Sequence, residues 1–295
     1  MNAPHEPVPF GGPEAAADID SAVVAVLPVP YDLTSTWKKG ADRGPAALLA
    51  ASANMELYDV PTASEPWRMG IATLPPVVCT EGPEVLADLV EVQVTEQLAA
   101  GRLPVVLGGE HSVSIGAIRA ATKAVPGMSV LQVDAHADTR ESYEGSGMNH
   151  ACVMARAREV APIVQVGIRS MDASERETLD DSRVLWAHDI LRCDPRDRSW
   201  VDRALALLTE NIYVTIDLDG FDPSVVPSTG TPEPGGLLWH HVEDLLEAVA
   251  NRRNVVGFDV VELLPTPGQW ASEFLAAKLV YRFLAQISAG RARQP

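Results

Sequence analysis

Six side chains stand out by type and spacing. His111 follows Gly-Gly-Glu, Asp134, His136 and Asp138 alternate with alanines, and Asp217 and Asp219 flank a leucine. Alternate residues of an extended chain point the same way, so each acidic run can present its side chains together as a strand ends. Carboxylates crowded in apolar surroundings repel and raise one another's pKa, and bound cations remove that cost. Mixed carboxylate and imidazole donors suit manganese, and also nickel or cobalt. A pair of such ions is an established hydrolytic arrangement. The pattern therefore predicts a two-metal hydrolase site. Taken singly, each motif has a plainer reading: a solvated turn for either acidic run, helix capping for Gly-Glu-His-Ser. Their joint occurrence is what favours the metal site.

Strands must hold these residues at one rim. LPVVLGG (103–109) leads into Glu110 and His111, and MSVLQVDAH (128–136) into the alternating run. NIYVTIDLD (211–219) carries Asp217 and Asp219, and NVVGFDVVEL (254–263) carries Glu262. All are apolar nearly throughout, as strands buried on both faces must be. AVVAVLPV (22–29), PIVQVGIRS (162–170) and RVLWAHDI (183–190) read as further strands. Helical patterns alternate with them. They include GPAALLAAS (44–52), residues 83–101 stopping at Gly101, residues 112–124 capped by Ser112, and SEFLAAKLVYRFLAQI near the end. This alternation predicts an α/β fold, three-layer α/β/α, with a mostly parallel sheet of about eight strands. Ligands of such sheets bind beyond the carboxyl ends of the strands, where the polar residues sit. Residues 1–20 show no period and are expected to form a flexible N-terminal arm before a single domain over 21–295.

With 40 acidic and 23 basic residues the net charge is −17. Such a chain repels nucleic acid and anionic membranes and attracts metal ions and small cations. Cys79, Cys152 and Cys193 form no Cys-x-x-Cys pair, which argues against a disulfide framework or a thiolate zinc site. The first residues lack the basic and apolar regions of a signal peptide, and no run of about 18 apolar residues is present to span a bilayer. A cytoplasmic protein is expected.

Leu107-Gly-Gly-Glu-His-Ser112, Asp134-Ala-His-Ala-Asp138 and Asp217-Leu-Asp-Gly-Phe-Asp-Pro223 resemble the three signatures of the ureohydrolase family, which includes arginase and agmatinase. The blocks at 29–52, 227–236 and 258–265 extend the likeness, so it covers roughly residues 22 to 287. The resemblance implies two manganese ions per subunit. Asp134 and Asp217 would bridge them, His111 and Asp138 would complete one, and His136 and Asp219 the other. Asp138 would also orient the attacking hydroxide. Glu262 would bind the substrate guanidinium, and His150 would contact substrate and carry a proton to the departing amine. The family commonly forms homotrimers or homohexamers. Glu110, Ala137, Thr215 and Ser228 stand where Asp, Thr, Ser and Gly are more usual, and none is an expected ligand.

The loop from Asp138 to His150 lacks the Asn and Ser pattern with which arginases grip an amino-acid head group, and resembles that of agmatinases. The expected reaction is hydrolysis of agmatine to putrescine and urea, with aminopropylagmatine, guanidinobutyrate, guanidine and arginine as alternative substrates. Glu141 and Glu144 make this loop electrostatically suited to the distal ammonium, and the equal alternative is that both are solvated surface charges. Two other classes stay open. A metal-dependent deacetylase would use a His-His dyad, but His240-His241 reads as a pair at a helix start. A non-catalytic metal-binding oligomer would keep the ligands without turnover.

Overall fold

The computed structural model describes residues 8–194 and 196–293. Its strands are β1 (Val24–Val29), β2 (Ile71–Thr73), β3 (Leu103–Gly108), β4 (Ser129–Val133), β5 (Ile163–Ile168), β6 (Val184–Trp186), β7 (Asn211–Asp217) and β8 (Asn254–Val261). Between and after them run α1 (Gly44–Ser52), α2 (Pro83–Ala99), α3 (Ser114–Ala124), α4 (Val153–Arg158), α5 (Ala173–Thr178), α6 (Ala187–Ile190), α7 (Ser199–Leu207), α8 (Trp239–Arg252) and α9 (Ala271–Arg293). The strands form one sheet in the order β2-β1-β3-β8-β7-β4-β5-β6. Every neighbouring pair is parallel. The three-layer α/β/α architecture expected from the alternation is the one observed.

Alternate side chains of each strand feed two cores. Val105 and Leu107 of β3, Leu131 and Val133 of β4, and Val214 and Ile216 of β7 pack on one face against α1, α7, α8 and α9. Val106, Val130 and Tyr213 pack on the other against α2, α3 and α4. Burial on both faces explains why these strands are apolar without alternation. On the second face α2 and α3 approach closely at Gly116, where an added Cβ would lie 2.2 Å from the Ala87 carbonyl oxygen. A larger residue there must push the helices apart.

Several expectations need correction. Residues 8–20 are packed rather than a flexible arm, and residues 1–7 lie outside the described residues. Phe10 is fully buried. Its amide donates to Thr73 Oγ1 at 2.8 Å, and the Gly11 amide donates to Ser52 Oγ at 3.0 Å. Ala16 bridges to Ile71, so this segment covers the edge that β2 would otherwise expose. Strand β2 escaped the sequence reading because it is three residues long. The strand expected over 183–190 stops at Trp186 and turns into α6. Ser112 does not cap α3. It lies in the 3-10 turn His111–Val113, and its hydroxyl donates to Glu110 Oε1 at 2.6 Å instead. A carboxylate is the stronger acceptor, and it draws the hydroxyl away from the helix end.

Candidate metal centre and active site

The four strands that carry the singled-out residues, β3, β8, β7 and β4, are adjacent at the middle of the sheet. Their carboxyl ends therefore open on one rim. Gly109 lets β3 turn there, since a Cβ on it would lie 2.0 Å from the Tyr31 carbonyl oxygen at the end of β1. Two of the turning residues, Asp138 (φ 52°) and Glu262 (φ 63°), hold the left-handed conformation that non-glycine residues avoid. Such strain costs roughly 1–3 kcal/mol and persists where surrounding bonds over-determine it. The Asp138 carbonyl accepts the Met154 and Ala155 amides at 2.9 and 3.2 Å. The Glu262 amide donates to Gly109 O at 2.7 Å, and Glu262 Oε1 accepts the His111 amide at 2.7 Å.

His111 Nδ1 lies 3.2 Å from Asp134 Oδ2, 3.0 Å from Asp138 Oδ2 and 3.4 Å from Asp217 Oδ2. His136 Nδ1 lies 3.0 Å from Asp219 Oδ2 and 3.7 Å from Asp134 Oδ1. The donor atoms thus fall into two groups, His111–Asp134–Asp217 and Asp134–His136–Asp219, each gathered within 4.8 Å. Asp134 belongs to both, and its two oxygens face different groups.

Three observations fit cations to these groups. First, His111 Nδ1 is buried without a hydrogen-bond partner among the described residues. Its Nε2 lies 2.9 Å from Thr215 Oγ1, and that hydroxyl donates to Asp259 Oδ1 at 2.6 Å. Thr215 therefore accepts the Nε2 proton, so Nδ1 is the nitrogen that faces the three carboxylates; against burial, Asp134 and Asp138 hold this imidazole well above its usual range, and a cation would take the Nδ1 lone pair in place of that proton. Second, burial and then the charges of Asp138 and Asp219 push the Asp134 carboxyl up to about 7. Burial, Asp219 and Asp134 hold Asp217 well above the usual carboxylate range. Third, burial opposes charge on His136, yet Asp219 and Asp134 outweigh it and lift the imidazole to about 10. The site attracts positive charge strongly enough to hold protons where cations would sit. Carboxylate and imidazole donors of this kind suit manganese or a similar divalent ion.

A cavity of about 290 Å³ lies over the groups, lined by His111, His136, Asp138, His150, Asp217, Asp219 and Glu262. Asp134 sits beneath it, fully buried. All eight residues singled out in the sequence are thus brought to one place. Burial, with Glu110 and Asp219 nearby, raises Glu262 well above the ordinary carboxylate range, so an arriving cation would find a carboxylate in need of a partner.

Of the two readings of the acidic loop, the surface one holds for Glu141. Glu141 accepts from Arg156 and Arg158 at the surface. Beyond the site itself, the carboxylates lining the cavity among the described residues are Asp172 and Glu175. Arg140 stands beside them, 3.5 Å from Glu175 and 4.0 Å from Asp172, over the Tyr143 ring. The sequence reading also missed a buried pair beneath Asp134. Gln132 Nε2 donates to Asp134 Oδ2 at 2.7 Å, and Gln165 Nε2 donates to Gln132 Oε1 at 2.6 Å. Two glutamines inside apolar strands, paired in register across β4 and β5, were the available signal. His240 and His241 do lie at the start of α8, where His241 Nδ1 accepts the Leu238 amide at 3.1 Å.

Residues 22–285 match the Arginase family model. The chain belongs to the arginase family. It is 41% identical to the N(1)-aminopropylagmatine ureohydrolase of Thermus thermophilus, over 91% of each chain. It is 34% identical to that of Synechocystis, over 96% of each. Among solved structures it resembles the agmatine ureohydrolase of Thermoplasma volcanium, with a TM-score of 0.86 and 31% identity over 96% of each chain.

Proposed function

We propose that this ureohydrolase cleaves the terminal guanidine of a linear guanidino-polyamine to urea and the free amine. The substrates that fit are N1-aminopropylagmatine, giving spermidine, and agmatine, giving putrescine. The observation that carries the reading is Glu262, a buried carboxylate lining the same cavity as both donor groups. A guanidinium paired with it lies in the cavity that Asp138 and His150 also line. His111, Asp134 and Asp217, and Asp134, His136 and Asp219, would hold divalent ions, whose chemistry would be to lower the pKa of bound water and so provide a nucleophile. Asp138 accepts a proton and aims the attack, and His150 delivers a proton to the departing amine. Manganese as resident ion belongs to this reading, as the donor set suits it. So does assembly into a trimer or hexamer, for which exposed Trp270 and Phe274 offer an apolar groove with α1. Cytoplasmic residence completes it; among the described residues no helix is long and apolar enough to cross a membrane.

Between the two substrates we favour the longer. Two of the relatives above are named for it. Arg140, Asp172 and Glu175 also line an adjoining cavity of about 300 Å³, which gives room for an extended chain. Urea release by manganese-loaded protein should therefore show the highest kcat/KM with N1-aminopropylagmatine, agmatine next, and guanidinobutyrate and arginine far behind. A clear preference for arginine would sink the substrate class. Bound metal with no turnover on any guanidine would instead favour the non-catalytic oligomer. His150→Gln should lower kcat by on the order of a hundredfold with metal content intact, the usual scale for losing a positioned proton carrier. An unchanged kcat would remove His150 from the chemistry.

A further inference from the structure

Glu110 is fully buried yet belongs to neither donor group. Every neighbour that bonds to its carboxylate is a donor. Oε2 accepts the amides of Thr34 and Ser35 at 2.6 and 2.8 Å and the Ser35 hydroxyl at 3.4 Å. Oε1 accepts the hydroxyls of Thr34 and Ser112, each at 2.6 Å. Glu110 thus ties the loop after β1 to the end of β3.

The Thr34 hydroxyl has one proton and two lone pairs. Its proton goes to the Glu110 carboxylate. One lone pair accepts the backbone amide of His150 at 3.1 Å. His150 Nδ1 stands 3.0 Å from the same oxygen. With the hydroxyl proton already committed, this last contact is a hydrogen bond only if Nδ1 carries a proton and donates it. We infer that Glu110, acting through Thr34, fixes His150 as the Nδ1–H tautomer and so leaves Nε2 as the nitrogen free to exchange a proton in the cavity. Glu110 and Thr34 are positioning residues in this account, and neither is assigned a contact with substrate. The importance of the tautomer rests on the proton-carrying role proposed above for His150; the tautomer itself does not.

The logic resembles that of a buried carboxylate orienting a catalytic imidazole, with a hydroxyl interposed. It also gives Glu110 a reason to be a carboxylate rather than any residue of similar size. An amide in its place must turn an NH2 group toward at least two of the five donors, which breaks the pattern that orients the Thr34 hydroxyl.

The test compares Thr34→Val, which keeps the shape and removes the hydroxyl, with Thr34→Ser, which restores it. Long-range 15N–1H correlation NMR of the metal-free full-length chain reads the tautomer, and the His150 signal is assigned by its loss in His150→Gln. We expect the Nδ1–H form in the wild type, a shift toward Nε2–H in Thr34→Val, and recovery in Thr34→Ser. In the manganese-loaded protein Thr34→Val should lose about tenfold in kcat with KM and metal content unchanged, and Thr34→Ser should regain it. A wild-type His150 found as Nε2–H, or a tautomer that ignores the Thr34→Val change, overturns the inference. A tautomer that shifts while kcat stays constant upholds it and counts against His150 as the proton carrier.

Discussion

Replacing Glu262 with Gln should lower kcat/KM for the guanidino substrate by on the order of a hundredfold to a thousandfold. Removing one partner of a buried charge pair costs about 3–5 kcal/mol, because the other charge is left uncompensated. The guanidinium would be that stranded charge. Glu262→Gln keeps the size of the side chain and an oxygen that can still accept the His111 amide. It removes one negative charge from a crowded site, where Glu110 and Asp219 already act against the carboxylate. The substitution should therefore leave the melting temperature and metal content near wild type, which separates lost recognition from lost folding. Steady-state kinetics on N1-aminopropylagmatine and agmatine, with metal analysis of the same samples, read both quantities. A variant that keeps wild-type kcat/KM would show that the guanidinium is held elsewhere.

The sequence already pointed to the candidate ligands because each group follows an apolar run, although β4 ends at Val133 and Asp134, His136 and Asp138 lie in the turn beyond it. Asp134, His136 and Asp138 are spaced by two, and each acidic run follows an apolar stretch that has to be a buried strand. What was not legible is contact between distant segments. Thr34 and His150 are 116 residues apart and meet through a single hydroxyl, which no periodicity records. Glu110 could be noticed as a departure from the more usual Asp, but its role depends on donors from the loop after β1. The loop after Asp138 allowed two readings, and distant contacts decided between them. Glu141 looked available to a distal ammonium, yet Arg156 and Arg158 lie close enough in α4 to take it. Asp172 and Glu175, more than thirty residues on, line the cavity instead. The segment 8–20 looked loose because it has no period of its own; its order comes from packing Phe10 beside Tyr281 and pairing Ala16 with Ile71.

Stripping divalent metal with a chelator should abolish urea release and lower the melting temperature, and added manganese should restore both. The site gathers Asp134, Asp138, Asp217 and Asp219 around two imidazoles, with Glu262 lining the same cavity. Ions that bind this arrangement, and not the unfolded chain, stabilise it by about 2.7 kcal/mol at a hundredfold excess over Kd. For a chain of this size that corresponds to roughly 4 °C for each ion bound. The two donor groups make a sharper test possible. Asp134 has an oxygen toward each group, so Asp134→Asn should reduce binding of both ions. Asp219 belongs to the His136 group alone, so Asp219→Asn should keep one ion, on His111, Asp134 and Asp217. Elemental analysis of each variant after dialysis against manganese gives the stoichiometry directly. Two ions retained by Asp134→Asn would break the assignment of that carboxylate as the shared ligand. One ion lost and one kept in Asp219→Asn, with activity gone, would show that turnover needs both groups filled.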